Sequence, residues 1–232
     1  MTNNKILFIL GAGPNVATAT AKHFAEQGYQ VALVSRGTST SFDPSYFYIQ
    51  GDLSNPEKIP EWFAQVKKKY GGSPNVVIHN AYHVFPAHPQ NPLSLSLGQL
   101  NYDLAVNFTS AYVAAQEAVK GFETLPADLP KSFIYTANGL NMMPMPRLVS
   151  LGLGKTAFGH VIENATLSFQ GKGYTFYYGD ERLANGDFAS GAISGVAHAE
   201  RYWELSQDRK QRPWMDTFVA GHGYKEFPKV RT

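Results

Sequence analysis

The first 36 residues constrain this chain more than any other stretch. An apolar run, Ile6-Leu7-Phe8-Ile9-Leu10, leads into a loop of small residues, Gly11-Ala12-Gly13-Pro14-Asn15-Val16-Ala17. A helical pattern over residues 18–27 is closed by Gly28, and a second apolar run, Val31-Ala32-Leu33-Val34, ends at Ser35-Arg36. Strand, tight loop, helix and strand in this order predict a βαβ unit. Its loop sets the helix N-terminus, with free N–H groups and the positive dipole end, against a pyrophosphate. A dinucleotide is therefore expected, with Gly11, Gly13, Asn15 and Val16 around its phosphates. The charge that follows the second strand meets the adenosine ribose. Here that charge is Arg36, whose fork suits a 2′-phosphate, so NADP(H) is expected before NAD(H).

The rest of the chain alternates in the same way. Apolar runs at 46–50, 76–79, 132–136, 174–178 and 217–219 predict strands, and residues 56–70, 97–121, 151–169 and 196–206 predict helices. Such alternation argues for an α/β fold: one Rossmann-like, doubly wound parallel sheet of about seven strands, covered on both faces, with sites at the strand C-termini. A single domain over 1–232 is expected, with loops at 37–44, 82–97, 138–149 and 179–195. Gly186, Gly191 and Gly195 would let the last of these move as a substrate lid.

Composition removes several function classes. With 20 basic and 18 acidic residues the net charge is +2, too balanced for a nucleic-acid partner, and Lys67-Lys68-Lys69 reads as a solvated helix face. Cysteine is absent, which excludes disulfides, thiol catalysis and thiolate metal sites. The first apolar run is too short for a signal peptide and no segment reaches membrane-span length, so a soluble, cytoplasmic protein is expected. His79 and His83 straddle a strand end, so no metal centre is expected.

Further positions carry a resemblance. Asp52-Leu53 follows the third strand, Asn80-Ala81 follows the fourth, Asn107 lies within the helix at 97–121, and Lys155 within the helix at 151–169. Together with the glycine loop, this set resembles the short-chain dehydrogenase/reductase (SDR) family across nearly the whole chain. The resemblance implies a nicotinamide cofactor, with Asp52 and Leu53 at the adenine and Asn80-Ala81 as the core of the family's Asn-Asn-Ala-Gly segment. It also implies a proton relay organised by Asn107, and Lys155 on the nicotinamide ribose. A homodimer or homotetramer built on the helices at 97–121 and 151–169 follows from the same resemblance.

The departures bear on function. Of the family's Gly-x-x-x-Gly-x-Gly only Gly11 matches. Asn15 and Ala17 hold the other glycine places, where Asn tolerates left-handed backbone angles and Ala is the next smallest residue. The family's acid, a Tyr four residues before the Lys, is replaced by Leu151. Its Ser falls on Asn138, and its Pro-Gly becomes Tyr178-Gly179-Asp180. In the family that tyrosine protonates the carbonyl oxygen as hydride arrives, and Leu151 cannot.

Three outcomes stay open. Hydride goes to a carbon needing no proton on oxygen, such as an imine, iminium or activated alkene. Or another acid serves: Asp180, His83 or Tyr82. Or the site performs no redox chemistry, orienting a substrate for cyclisation or isomerisation, or binding nucleotide as a regulator. The leading expectation is an NADPH-dependent reductase of a bulky apolar small molecule in specialised metabolism, with Lys155, Asn107, Asn138 and Asp180 as catalytic candidates. Their bland alternatives are a solvated helix lysine, a mid-helix amide on backbone carbonyls, a turn former and a salt bridge to Arg182. Met142, Met143 and Met145 suit a core, lid or pocket wall. Tyr177, Tyr178, Phe188, Tyr202, Trp203 and Trp214 line an apolar pocket or pack the core.

Overall fold

Ile6–Leu10 carries no polar side chain, so a strand made from it must be covered on both faces. It forms β1 inside a sheet, with all five residues fully buried. The computed structural model describes residues 5–37 and 42–228; residues 38–41 of the loop expected at 37–44 lie outside that range. The other strands are β2 (Gln30–Ser35), β3 (Phe47–Gln50), β4 (Val76–His79), β5 (Lys131–Thr136), β6 (Tyr174–Glu181), β7 (Met215–Val219) and β8 (Gly223–Tyr224). Their order is β3-β2-β1-β4-β5-β6-β7-β8. All neighbours run parallel except β7 and β8. The order reverses between β1 and β4, so the loops leaving these strands part and open a crevice at their C-terminal ends.

Alternate residues of β1 feed two cores. Leu7 and Ile9 pack under α1 (Val16–Glu26) and α6 (Gly195–Ser206), with Phe24 and Tyr202. Ile6, Phe8 and Leu10 pack on the other face with Phe63, Phe133 and Phe158. That face is covered by α2 (Ile59–Tyr70), α3 (Leu97–Leu104), α4 (Ser110–Phe122) and α5 (Val149–Ser168).

The sheet of about seven strands is present with eight, the last a two-residue β8 that has no apolar alternation to announce it. The structure corrects two expectations. The helix expected at 97–121 is broken by a π-helical turn, Ala105–Thr109, between α3 and α4. And residues 179–181 belong to β6, not to a loop. Gly179 lies against the Tyr202 ring, where a Cβ would come within 2.6 Å, while Asp180 and Glu181 meet Arg182 and His198. Buried charges that are paired this way let the strand continue.

Candidate cofactor cleft and active site

The chain leaves β1 and turns at Gly11, whose φ is +94°. A Cβ there would fall 2.4–2.6 Å from the N, Cα and Cβ of Ala81, so both backbone angle and contact require glycine. Gly11 and Ala12 each donate to the Val34 carbonyl at 2.9 Å, and Asn80 Nδ2 donates to the Gly11 carbonyl at 2.9 Å. The loop is thus tied to the ends of β2 and β4. At Gly13 a side chain would meet open space.

Asn15 has φ −102°, so a left-handed angle is not what this position uses. Its Nδ2 donates to the Ile193 carbonyl at 2.9 Å, and a Cβ on Gly195 would lie 2.6 Å from its Oδ1. Asn15 therefore joins the loop to the segment entering α6 and does not cap α1. Among the described residues the first N–H groups of α1 have no side-chain acceptor, which leaves them for an anion. Val16 is buried beneath them.

Gly11, Gly13, Arg36, Asp52, Leu53, Asn80 and Ala81 line one cleft of about 220 Å³, which Tyr82, His83 and Val106 extend. Arg36 is exposed, and among the described residues its side chain reaches the Tyr102 hydroxyl alone, at 3.4 Å. Asp52 Oδ1 accepts from Ser54 N at 2.9 Å, and Leu53 is buried. A helix N-terminus without a side-chain cap, an exposed guanidinium and the apolar sides of Leu53 and Val106 fit a dinucleotide's phosphates and adenosine.

The inner end of the site is built on the π turn. The Asn107 amide clamps His83: His83 N donates to its Oδ1 at 3.0 Å, and its Nδ2 donates to the His83 carbonyl at 2.6 Å. The Tyr135 hydroxyl donates to the Asn107 carbonyl at 2.6 Å. α5 approaches closely because residue 154 is glycine: a Cβ would lie 2.6 Å from that of Asn107. Lys155 is buried, donates from Nζ to the Thr136 carbonyl at 2.7 Å, and sits 4.3 Å from the centre of the Tyr135 ring. Burial pulls its amine down to about 7, opposed by the Asp180 charge. His79 stacks on Tyr135 and shares a 2.8 Å hydrogen bond with Ser110. Burial, then the Lys155 charge, holds its imidazole down at about 3, hence neutral.

Leu151, at the acid's place, is buried. Its neighbour Ser150 donates to Asp103 Oδ2 at 2.5 Å. Asp103, wholly buried, also accepts from Phe85 N at 2.8 Å and from His83 Nδ1 at 2.6 Å. The His83 ring lies between those of Phe85 and Tyr102, at 4.8 and 4.7 Å. Sequence reasoning missed Asp103 and Ser150. The signal was a carboxylate one helical turn before Asn107, on the same buried face.

Asp180 sits in β6. Arg182 Nε donates to its Oδ2 at 2.7 Å, while its Oδ1 has no partner among the described residues. Burial raises this carboxyl to about 6, with Arg182 opposing. The salt bridge weighed as its bland role is therefore present. Asn138 Oδ1 accepts from Leu140 N at 3.1 Å, which is turn-forming geometry, and its carbonyl accepts from Tyr178.

In the 182–195 segment Gly186 has φ +93° and packs on Phe227, so it and Gly195 are held by contacts. Tyr177, Tyr178 and Tyr202 are fully buried, Trp203 packs on Phe24 and Tyr29, and Trp214 packs on Tyr178. These aromatics build the core and line none of the cavities described here. Met142 and Met143 do wall a cavity of about 120 Å³, with Arg182, Met215 and Phe227; Met145 is exposed.

Comparison with known proteins agrees with this geometry. Residues 11–172 match the family model described as enoyl-(acyl carrier protein) reductase. The chain is 39% identical over 237 aligned residues to "Short chain dehydrogenase/reductase dmxR12" of Cryptosporiopsis sp. (strain 8999), covering 97% of this chain and 96% of that protein. Among solved structures, a short-chain dehydrogenase/reductase from Serratia marcescens superposes with a TM-score of 0.74 at 17% identity, covering 94% of this chain and 96% of that one. ElxO with NADP bound superposes with a TM-score of 0.74 at 15% identity, covering 94% and 98%. Those two likenesses concern the fold alone.

Proposed function

The chain belongs to the short-chain dehydrogenase/reductase family, and from that premise we propose that it is an NADP(H)-dependent reductase whose proton path bypasses position 151. The observation that carries this reading is Arg36: a guanidinium whose one side-chain partner among the described residues is a weak one, in a cleft lined by the Gly11–Gly13 loop that leads into the uncapped α1.

A bound reduced nicotinamide supplies hydride. The first turn of α1 and the Gly11–Gly13 loop hold the pyrophosphate, and Arg36 holds the 2′-phosphate. Asp52 and Leu53 would flank the adenine, Asn80 braces the loop, and Lys155 would hold the nicotinamide ribose. Leu151 offers no proton, so the substrate is an imine, iminium or activated alkene, or the proton comes from elsewhere. The substrate proposed is a bulky apolar small molecule from specialised metabolism, of which the methionine-walled cavity beside Arg182, about 120 Å³, has room for one apolar group. Exposed Tyr112, Leu153 and Leu167 on α4 and α5 support a homodimer or homotetramer through those helices.

A second reading, a nucleotide-binding regulator or non-redox enzyme, is favoured by Lys155, which is buried and already bonded to Thr136. The experiment is NADPH oxidation with ketones, cyclic imines and enones, alongside NADPH binding by fluorescence. Turnover of imines or enones supports the reductase. Tight binding without oxidation moves the assignment to the second reading.

A further inference from the structure

Position 151 supplies no acid, yet one imidazole in the cleft is held as an acid would be. His83 lines the same cleft as Gly11, Arg36 and Asn80. Both its backbone polar groups are clamped by the Asn107 amide, and its ring is wedged between Phe85 and Tyr102. Its Nδ1–H donates to Asp103, which is wholly buried and takes further donors from Phe85 N and Ser150 Oγ. The side chain is 26% exposed and Asp103 is not exposed at all. With Nδ1 engaged by Asp103, Nε2 is the ring nitrogen left to exchange a proton.

We infer that His83 is the catalytic acid of this chain and Asp103 its positioning residue, acting on a conjugated carbonyl substrate. The inference rests on the reductase reading. As the β-carbon of an enone accepts hydride, the C=C electron pair shifts and charge collects on oxygen. That oxygen takes the Nε2 proton: O–H forms, N–H breaks, and a neutral imidazole remains with its Nδ1–H on Asp103. Solvent then returns the proton. A buried carboxylate that fixes the tautomer and steadies the imidazolium is how paired carboxylate and imidazole groups act in acid–base catalysis. The titratable groups facing the ring are Asp103 and Tyr102 from α3; Tyr82, Arg36 and Asp52 lie along the cleft.

Imidazole nitrogen NMR of the full chain, with and without NADP⁺, tests this without any substrate. The expected spectrum shows both His83 ring nitrogens protonated where the enzyme is active and Nδ1–H alone once the ring is neutral, with an Nε2 signal that shifts when NADP⁺ binds. In Asp103→Asn the tautomer preference is lost. With cyclohexenone as probe, His83→Gln lowers kcat about 100-fold, changes KM for NADPH far less, and loses the fall of kcat at high pH.

If NADP⁺ binds and the His83 Nε2 signal stays unmoved, or if His83→Gln keeps kcat and its pH profile, the inference is overturned while the reductase reading stands. If the wild type binds no NADP⁺, the proposed function fails and the inference falls with it. Should cyclohexenone not be reduced, the spectra decide alone.

Discussion

The hydroxyl of Tyr135 donates to the main-chain carbonyl of Asn107 at 2.6 Å. This contact links β5 to the π turn, and it occupies the carbonyl of the residue that the family resemblance places in a proton relay. Lys155 sits over the same tyrosine ring, 4.3 Å from its centre. A buried phenol whose hydroxyl is pushed well above its ordinary range by desolvation is a structural donor here and gives up no proton.

Restoring the missing tyrosine alone therefore restores little. Leu151→Tyr is expected to raise NADPH-dependent reduction of a simple ketone by less than about tenfold, and Leu151→Tyr with Tyr135→Phe by more, since the second change frees the Asn107 carbonyl. Initial rates of NADPH oxidation decide this. A large gain from the single substitution contradicts the role given to Tyr135.

Arg36→Ala is expected to weaken NADPH binding about 10- to 150-fold, which corresponds to about 1.5–3 kcal/mol for hydrogen bonds to a charged group. NADH affinity should stay within a few-fold. Fluorescence titration with both nucleotides measures this, and equal weakening of the two removes the 2′-phosphate assignment.

Lys155 couples burial to pH. Its amine falls from 10.5 to about 7 on folding, so between those values the unfolded chain binds more protons than the folded one. Stability then rises with pH across that window. Asp180 acts oppositely. Its carboxyl rises from 3.8 to about 6, so its contribution grows as pH falls from 6 toward 3.8. Thermal unfolding of wild type and Lys155→Met across pH 7 to 10 should show a smaller upward slope in the variant. Parallel curves contradict this account of Lys155.

Gly154→Ala pushes a methyl to within 2.6 Å of Asn107 Cβ. Overpacking of this kind costs about 1–3 kcal/mol and moves the clamp on His83. Urea unfolding should show the loss; wild-type stability would mean that α5 can retreat from the π turn.

Much of this was legible in the sequence. Uninterrupted apolar runs and small-residue loops place the strands, and Gly11, Arg36, Asp52, Leu53, Asn80 and Ala81 do meet in one cleft. What escaped depends on contacts between distant residues. The π turn arises where Asn107 is engaged by His83, Tyr135 and Gly154 together, and no helical pattern records three tertiary contacts. Asp103 reads as one more polar residue in an amphipathic helix until Ser150 and Phe85 arrive from other segments. Tyr177 and Tyr202 are core because β6 and α6 face each other, and Tyr178 with Trp214 because α5 covers the opposite face, pairings that hydropathy alone does not reveal.

The chain's return after β7 has a consequence for what can approach that end of the sheet. Gly223, Tyr224 and Lys225 turn back along β7, and the Thr217 carbonyl and hydroxyl are both engaged by Lys225. The backbone groups that would template another molecule's strand are largely taken, and only a very short rim is left. What the margin presents instead is side chains, chiefly the part-exposed Arg212–Glu204 pair, with Arg201–Asp216 buried beside it. Its surface chemistry is that of charge, not of a ribbon open to extension.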